Sequence, residues 1–93
     1  MYGIVRSAKA KKSLRRHEKR GSFPLAKFRE AMMYLRDGKP LPLSFHDHQL
    51  KGDLLVYREF HLAYHLLVQY RRNEALRIIT ITEVGTHTEL FGR

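Results

Sequence analysis

The sequence predicts a small α+β domain, with two N-terminal helices laid on one face of an antiparallel sheet of about four strands and the other face open. Three observations predict it. Two segments before Asp37 carry apolar residues at spacings of three and four, whereas the segments after Gly52 are short runs rich in Val, Ile, Leu, Tyr and Thr. Turn-forming residues separate those later runs, which therefore pair as an antiparallel meander. Finally, 93 residues can bury one core but not two, so residues 1–93 are expected to form one domain.

Each element has its own local reason. "YGIVR" is a short strand candidate, and Ser7 can then cap a helix through "AKAKKSLRRHEKR" that Gly21 terminates. Its apolar face is thin, with Ala10, Leu14 and His17 in line. His17 on so basic a helix is expected to be solvated, or at most a phosphate contact. A second helix opens at "SFPLA", where Pro24 suits the first turn, and aligns Leu25, Phe28, Met32 and Leu35 before "DGKP" ends it. From Gly38 to Gly52 the Pro, Gly and polar content argues for a loop, longer than most connections, that carries His46 and His48. Strands are expected at "LLVYREF" (54–60), "HLLVQYRR" (65–72) and "ALRIITIT" (75–82), with "NE" as the turn between the last two. Tyr57, Tyr64 and Tyr70 alternate with apolar residues there and are expected in the core or at its rim.

Composition narrows the function classes. The chain has no cysteine, which excludes disulfides and thiolate metal ligands. It has no apolar run of the ~18 residues a membrane span needs, and "MYGIVRSAKAKK" lacks the apolar region of a secretory signal, so a cytoplasmic location is expected, with no membrane partner. The net charge of +9 is unevenly placed: residues 1–36 hold eleven Lys and Arg against two Glu, and residues 37–93 hold seven of each sign. Five of the six histidines, His46, His48, His61, His65 and His87, lie in that neutral remainder. This segregation fits one region that docks on a polyanion, nucleic acid above all, and another that does local chemistry.

The meander brings some imidazoles together by geometry. His61, His65 and His87 fall toward one end of the sheet, whereas His48 belongs by topology at the opposite end unless the long loop folds back. In a regular strand His61 shares a face with Tyr57 and Glu59, and Arg58 lies on the other face, paired with a carboxylate or snorkelling. The spacings His46-x-His48 and His61-x3-His65, with Asp47 nearby, would allow zinc ligation, but they lack a characteristic third-ligand spacing, and no metal or other cofactor is expected.

"DHQLKG", "YREFH", "LLVQY" and "GTHTELFG" together resemble the YafQ branch of the RelE/ParE superfamily of toxin-antitoxin systems, over residues 39–92. The resemblance implies a RelE-like fold of two helices on a twisted antiparallel sheet. It also implies a ribosome-dependent mRNA endoribonuclease that works without metal and is held inactive by a cognate antitoxin. The 70S ribosome with its mRNA and rRNA is then the other partner, and no homo-oligomer is required. At the family's positions His48, His61 and His87 contribute to catalysis, and Phe91 supports activity near the bound RNA. Two residues depart from the pattern: His65 stands where YafQ-like toxins carry an acid, and Glu83 where they carry an Arg. A carboxylate there would repel the charge of a phosphorane-like transition state, but some relatives in the superfamily use a Glu as general base, and the resemblance leaves His65 and Glu83 as additional catalytic candidates. Cleavage needs a base for the 2′-hydroxyl, an acid for the 5′-oxygen and cationic support for the phosphate. His48 or His61 is assigned as base, His87 as acid, and Lys51 or Arg58 stands near the phosphate. Phe91 either caps the core beside Leu90 or stacks on a nucleobase or an antitoxin segment. Rival readings are a ParE-like gyrase-inhibiting toxin and a catalytically impaired member that only binds RNA or antitoxin.

Overall fold

The structure is a computed structural model of the chain and describes residues 1–91; Gly92, the last residue of "GTHTELFG", lies outside them. Strand β1 (Gly3–Arg6) leads into helices α1 (Ala8–Lys19) and α2 (Leu25–Arg36). Strands β2 (His48–Gln49), β3 (Arg58–Ala63), β4 (Leu66–Asn73) and β5 (Ile78–Gly85) follow, and a one-turn helix α3 (His87–Phe91) ends the described chain. The strands form one sheet in the order β1-β5-β4-β3-β2.

The expected architecture stands, with additions that follow from the long connections. The sheet has five strands and is mixed, because β1, which precedes the helices, lies parallel to β5 at one edge. At the other edge the long loop contributes β2, a two-residue strand that sequence periodicity cannot register. The run "LLVYREF" becomes a strand only from Arg58: Gly52–Leu54 is a single turn of 3-10 helix, and Leu55 and Val56 stay exposed. Gly52 takes φ +65°, which starts this turn where a strand was expected.

Ser7 caps α1 as its side-chain oxygen accepts from the Ala10 N–H at 3.0 Å, and its hydroxyl donates to the Thr82 carbonyl of β5 at 2.9 Å. One residue therefore starts the helix and docks it on the sheet. The core lies between the helices and one sheet face, where Leu14, Phe28 and Leu35 meet Phe60, Tyr70 and Ile81. β5 carries a bulge: Tyr70 opposes Ile81 and Gln69 opposes Glu83, leaving Thr82 as the extra residue. Its hydroxyl donates to the Gln69 backbone and side-chain oxygens, and beyond it Val84 regains the core face. Among the described residues no helix is long and apolar enough to cross a membrane.

Because Ser7 satisfies an orphan N–H of α1 and also ties it to β5, Ser7→Ala is expected to cost about 1 kcal/mol or more in chemical denaturation. Ser7→Thr, which keeps the oxygen, should lose much less.

Candidate active site

Register places a row of polar residues across the face away from the core. His48 opposes Glu59, Glu59 opposes Gln69, and Gln69 opposes Glu83, so all four side chains leave the same face of β2, β3, β4 and β5. His61, two residues after Glu59 on β3, shares that face. The sequence left His48 at the far end of the sheet. The hairpin between β2 and β3 reverses the loop and sets His48 directly across from the residue two before His61, so the ring centroids of His48 and His61 lie 6.3 Å apart. His46 joins them at 5.5 Å from His61.

Two features hold this loop. His46 sits in the left-handed region at φ 52°, which turns the chain, and its carbonyl accepts a 2.8 Å hydrogen bond from Nδ1 of His48. Between them, Asp47 points to the opposite side and accepts from the Tyr70 hydroxyl at 2.8 Å and from Arg58 at 3.3 Å. The Tyr70 bond is the stronger anchor: hydrogen bonds to charged groups contribute about 1.5–3 kcal/mol, and a partly exposed ion pair ~1 kcal/mol or less. Burial and the neighbouring Asp47 carboxylate raise the Tyr70 hydroxyl well above its usual range, so it stays a donor. Burial works against the Arg58 cation, but Asp47 and Tyr70 outweigh it and raise its pKa. Arg58 thus positions the histidine loop from behind the sheet and does not share the imidazole face.

Glu59 is the residue the sequence reading passed over. Its side chain is 3% exposed, Oε1 lies 3.4 Å from Nε2 of His48, and Oε2 has no partner among the described residues. Since Nδ1 of His48 must carry a hydrogen to donate to a carbonyl, the Nε2 contact with a carboxylate is attractive when the ring is doubly protonated. The signal was available: Glu59 and His61 are polar residues at i and i+2 in an otherwise apolar strand.

His61 is different. Partial burial lowers its pKa; Glu59 opposes that shift, and the charges of His46, His48 and His87 add to it. His87 comes from α3, the short helix that follows β5. That helix is fastened by Glu89, whose Oε1 accepts from the Thr86 N–H at 2.8 Å and from Nε2 of His17 at 3.1 Å, while Oε2 meets Arg16 at 2.9 Å. The Glu89 N–H returns a bond to the Thr86 hydroxyl, completing a capping box. Burial alone would raise the Glu89 pKa, but Thr86, His17 and Arg16 hold it below the usual carboxylate range. His17 is thus not solvated: it is 6% exposed and clasps α3 to α1. A Cβ on Gly85 would fall 3.1 Å from both Glu89 Cβ and Leu90 Cδ1, so a glycine lets α3 fold back onto β5. Phe91 lies one helical turn from His87, ring centroids 5.5 Å apart.

The other candidates spread out. Lys51 is exposed on the loop before β3, and His65 is exposed at the β3–β4 turn against Tyr64. Glu83 sits on the site face but is neutralised by Lys9 of α1 at 3.1 Å. Among the described residues no group of three or more His, Asp or Glu side chains is arranged to hold a metal ion.

A mixed sheet with helices on one face and a histidine-lined polar row on the other defines a toxin of a bacterial type II toxin-antitoxin system. More narrowly, the chain belongs to the YafQ family: the family described as "Bacterial toxin of type II toxin-antitoxin system, YafQ" matches residues 2–92. A metal-bound toxin from Helicobacter pylori is 33% identical with a TM-score of 0.90, over 98% of this chain and 100% of that one. YafQ from E. coli strain BL21(DE3) is 25% identical with a TM-score of 0.86, over 99% of this chain and 100% of that one. A chain of the E. coli DinJ-YafQ complex is 26% identical with a TM-score of 0.85, over 99% of this chain and 100% of that one. No curated protein sequence matches the chain.

The imidazoles can be followed individually by NMR. His61 is expected to titrate with a midpoint below its ordinary ~6.5, and Glu59→Gln should lower it further by removing the carboxylate that favours its charge. A His61 midpoint at or above the ordinary value would contradict the described environment.

Proposed function

We propose that this toxin is an mRNA endoribonuclease that cuts on the ribosome by general acid–base catalysis between histidines. The observation that carries the reading is the pairing of His48 against the buried Glu59, with His61 two residues along β3 and its ring centroid 6.3 Å from that of His48. RNA supplies its own nucleophile, so a protein needs only to move two protons and to offset phosphate charge. His61, held neutral by its surroundings, takes the proton of the 2′-hydroxyl. The oxygen attacks phosphorus, the bond to the 5′-oxygen breaks, and His87 protonates the leaving group. The products are a 2′,3′-cyclic phosphate and a 5′-hydroxyl. His48, held between the His46 carbonyl and Glu59, contacts the phosphate. Lys51 and Phe91 lie to the sides, where they serve the bound strand.

The basic first third supplies the grip. Lys11, Lys12, Arg15, Lys19 and Arg20 are exposed on or beside α1, and none makes a salt bridge among the described residues. Such a surface suits ribosomal RNA phosphates and gives salt-sensitive binding. Translating ribosomes place the activity in the cytoplasm. In the E. coli complex YafQ is bound by DinJ, and by likeness a cognate antitoxin restrains this chain.

Mapping cuts on a translated message tests the reading. The intact chain should produce cuts that His87→Ala lacks, while gyrase supercoiling is unaffected; supercoiling inhibition without cuts would instead indicate a ParE-like poison. The rising limb of the pH–rate profile should lie below ~6.5, because the base must be deprotonated to act and its pKa is lowered.

Replacing Lys11, Lys12 and Arg15 by Gln should weaken ribosome association and flatten its dependence on salt by up to about three units of the log–log slope. Single-turnover cleavage at saturating ribosome should change little.

A further inference from the structure

A second cleft lies beside the imidazole face and has no part in the chemistry above. It encloses about 290 Å³ between the β3–β4 turn and the segment joining α1 to α2, and its lining includes Arg20, Phe23, Tyr64, His65, Leu66 and Thr86. This volume is at the small end for ligand pockets, sized for a single ring system. Tyr64 is 86% exposed yet held edge-on to the His65 ring, centroids 4.4 Å apart, so its aromatic surface is presented outward with no core to cover it. No carboxylate is among the residues that line the cleft, and Arg20 supplies a cation, so its charge complements a polyanion. Its position ties it to the reaction. Ala63 is two residues beyond His61, about 7 Å along the strand, and Thr86 precedes His87.

We propose that this cleft is a nucleobase subsite: it takes the base of a nucleotide flanking the scissile phosphate, stacked on Tyr64, with Arg20 meeting the adjoining phosphate. Stacking on an exposed aromatic tolerates any base and adds affinity without hydrogen-bond readout. The β3–β4 turn then sets where the strand lies, while the histidines set where it is cut. The inference rests on the reading of the site as one that binds RNA, but not on cleavage.

The experiment uses the full chain, isotope-labelled, with a trideoxyadenylate that cannot be cut because it lacks 2′-hydroxyls, and with versions missing the base at either end. The trinucleotide should shift the amides of Tyr64, His65 and Thr86, and one abasic version should not. Tyr64→Ala, at an exposed position, should weaken the full trinucleotide about tenfold and leave that abasic version unchanged. Equal effects on both, or no base-dependent shifts at the cleft, would overturn the proposal. So would an effect of Tyr64→Ala confined to antitoxin affinity, which would assign the cleft to a protein segment. Base-dependent shifts in a chain that makes no cuts on a translated message would sink the nuclease reading alone.

Discussion

The burial of one carboxylate organises the imidazole face. Glu59 is taken almost wholly out of water with one oxygen unpartnered, a state that costs several kcal/mol unless positive charge or a proton is brought to it. The fold answers with the short pairing of β2 against β3, which sets His48 across from Glu59. That pairing is only two residues long and could not persist on its own hydrogen bonds. It persists because Asp47, between the two loop histidines, is held on the other side of the sheet by Tyr70 and Arg58. Core and site are thus joined through a single aspartate.

From this constraint the histidines diverge in character. His48 is half-exposed, with Nδ1 on the His46 carbonyl and Nε2 3.4 Å from the Glu59 carboxylate. His61 is more enclosed and faces other imidazoles, an environment that disfavours charge. The third imidazole comes on α3, a single turn too short to be stable alone. Glu89 fastens it to His17 and Arg16, so basic helix α1 both offers cations to solvent and carries the mount of His87. Docking on α1 and the placement of His87 are therefore mechanically linked.

Local pattern revealed the elements that depend on local physics. The Ser7 cap, the stripe of α2 and the meander of β3, β4 and β5 were legible because capping and periodicity act over a few residues. β2 and the parallel partner of β1 were not, since β2 is only two residues long and β1 pairs with a strand some seventy residues away. The site followed the same division. Strand parity separated Arg58 from His61 and grouped Glu59 with it, but only the register of β2 could bring His48 to them. His17 misled because a charged helix face reads as solvated, and its partner Glu89 is 72 residues away.

The departure at Glu83 has a physical resolution. A carboxylate at that point of the polar row would oppose charge growing on a phosphate, and the YafQ pattern places a cation there. In this chain Lys9 reaches from the first turn of α1 to Glu83 at 3.1 Å, and the Lys9 side chain remains 69% exposed while that of Glu83 is 12% exposed. The anion is therefore shielded and the cation is the partner that faces solvent. Electrostatically the position is a pair whose outward end is positive, its cation carried by α1. A pair has weaker field than an isolated cation, since its charges largely cancel beyond their own separation.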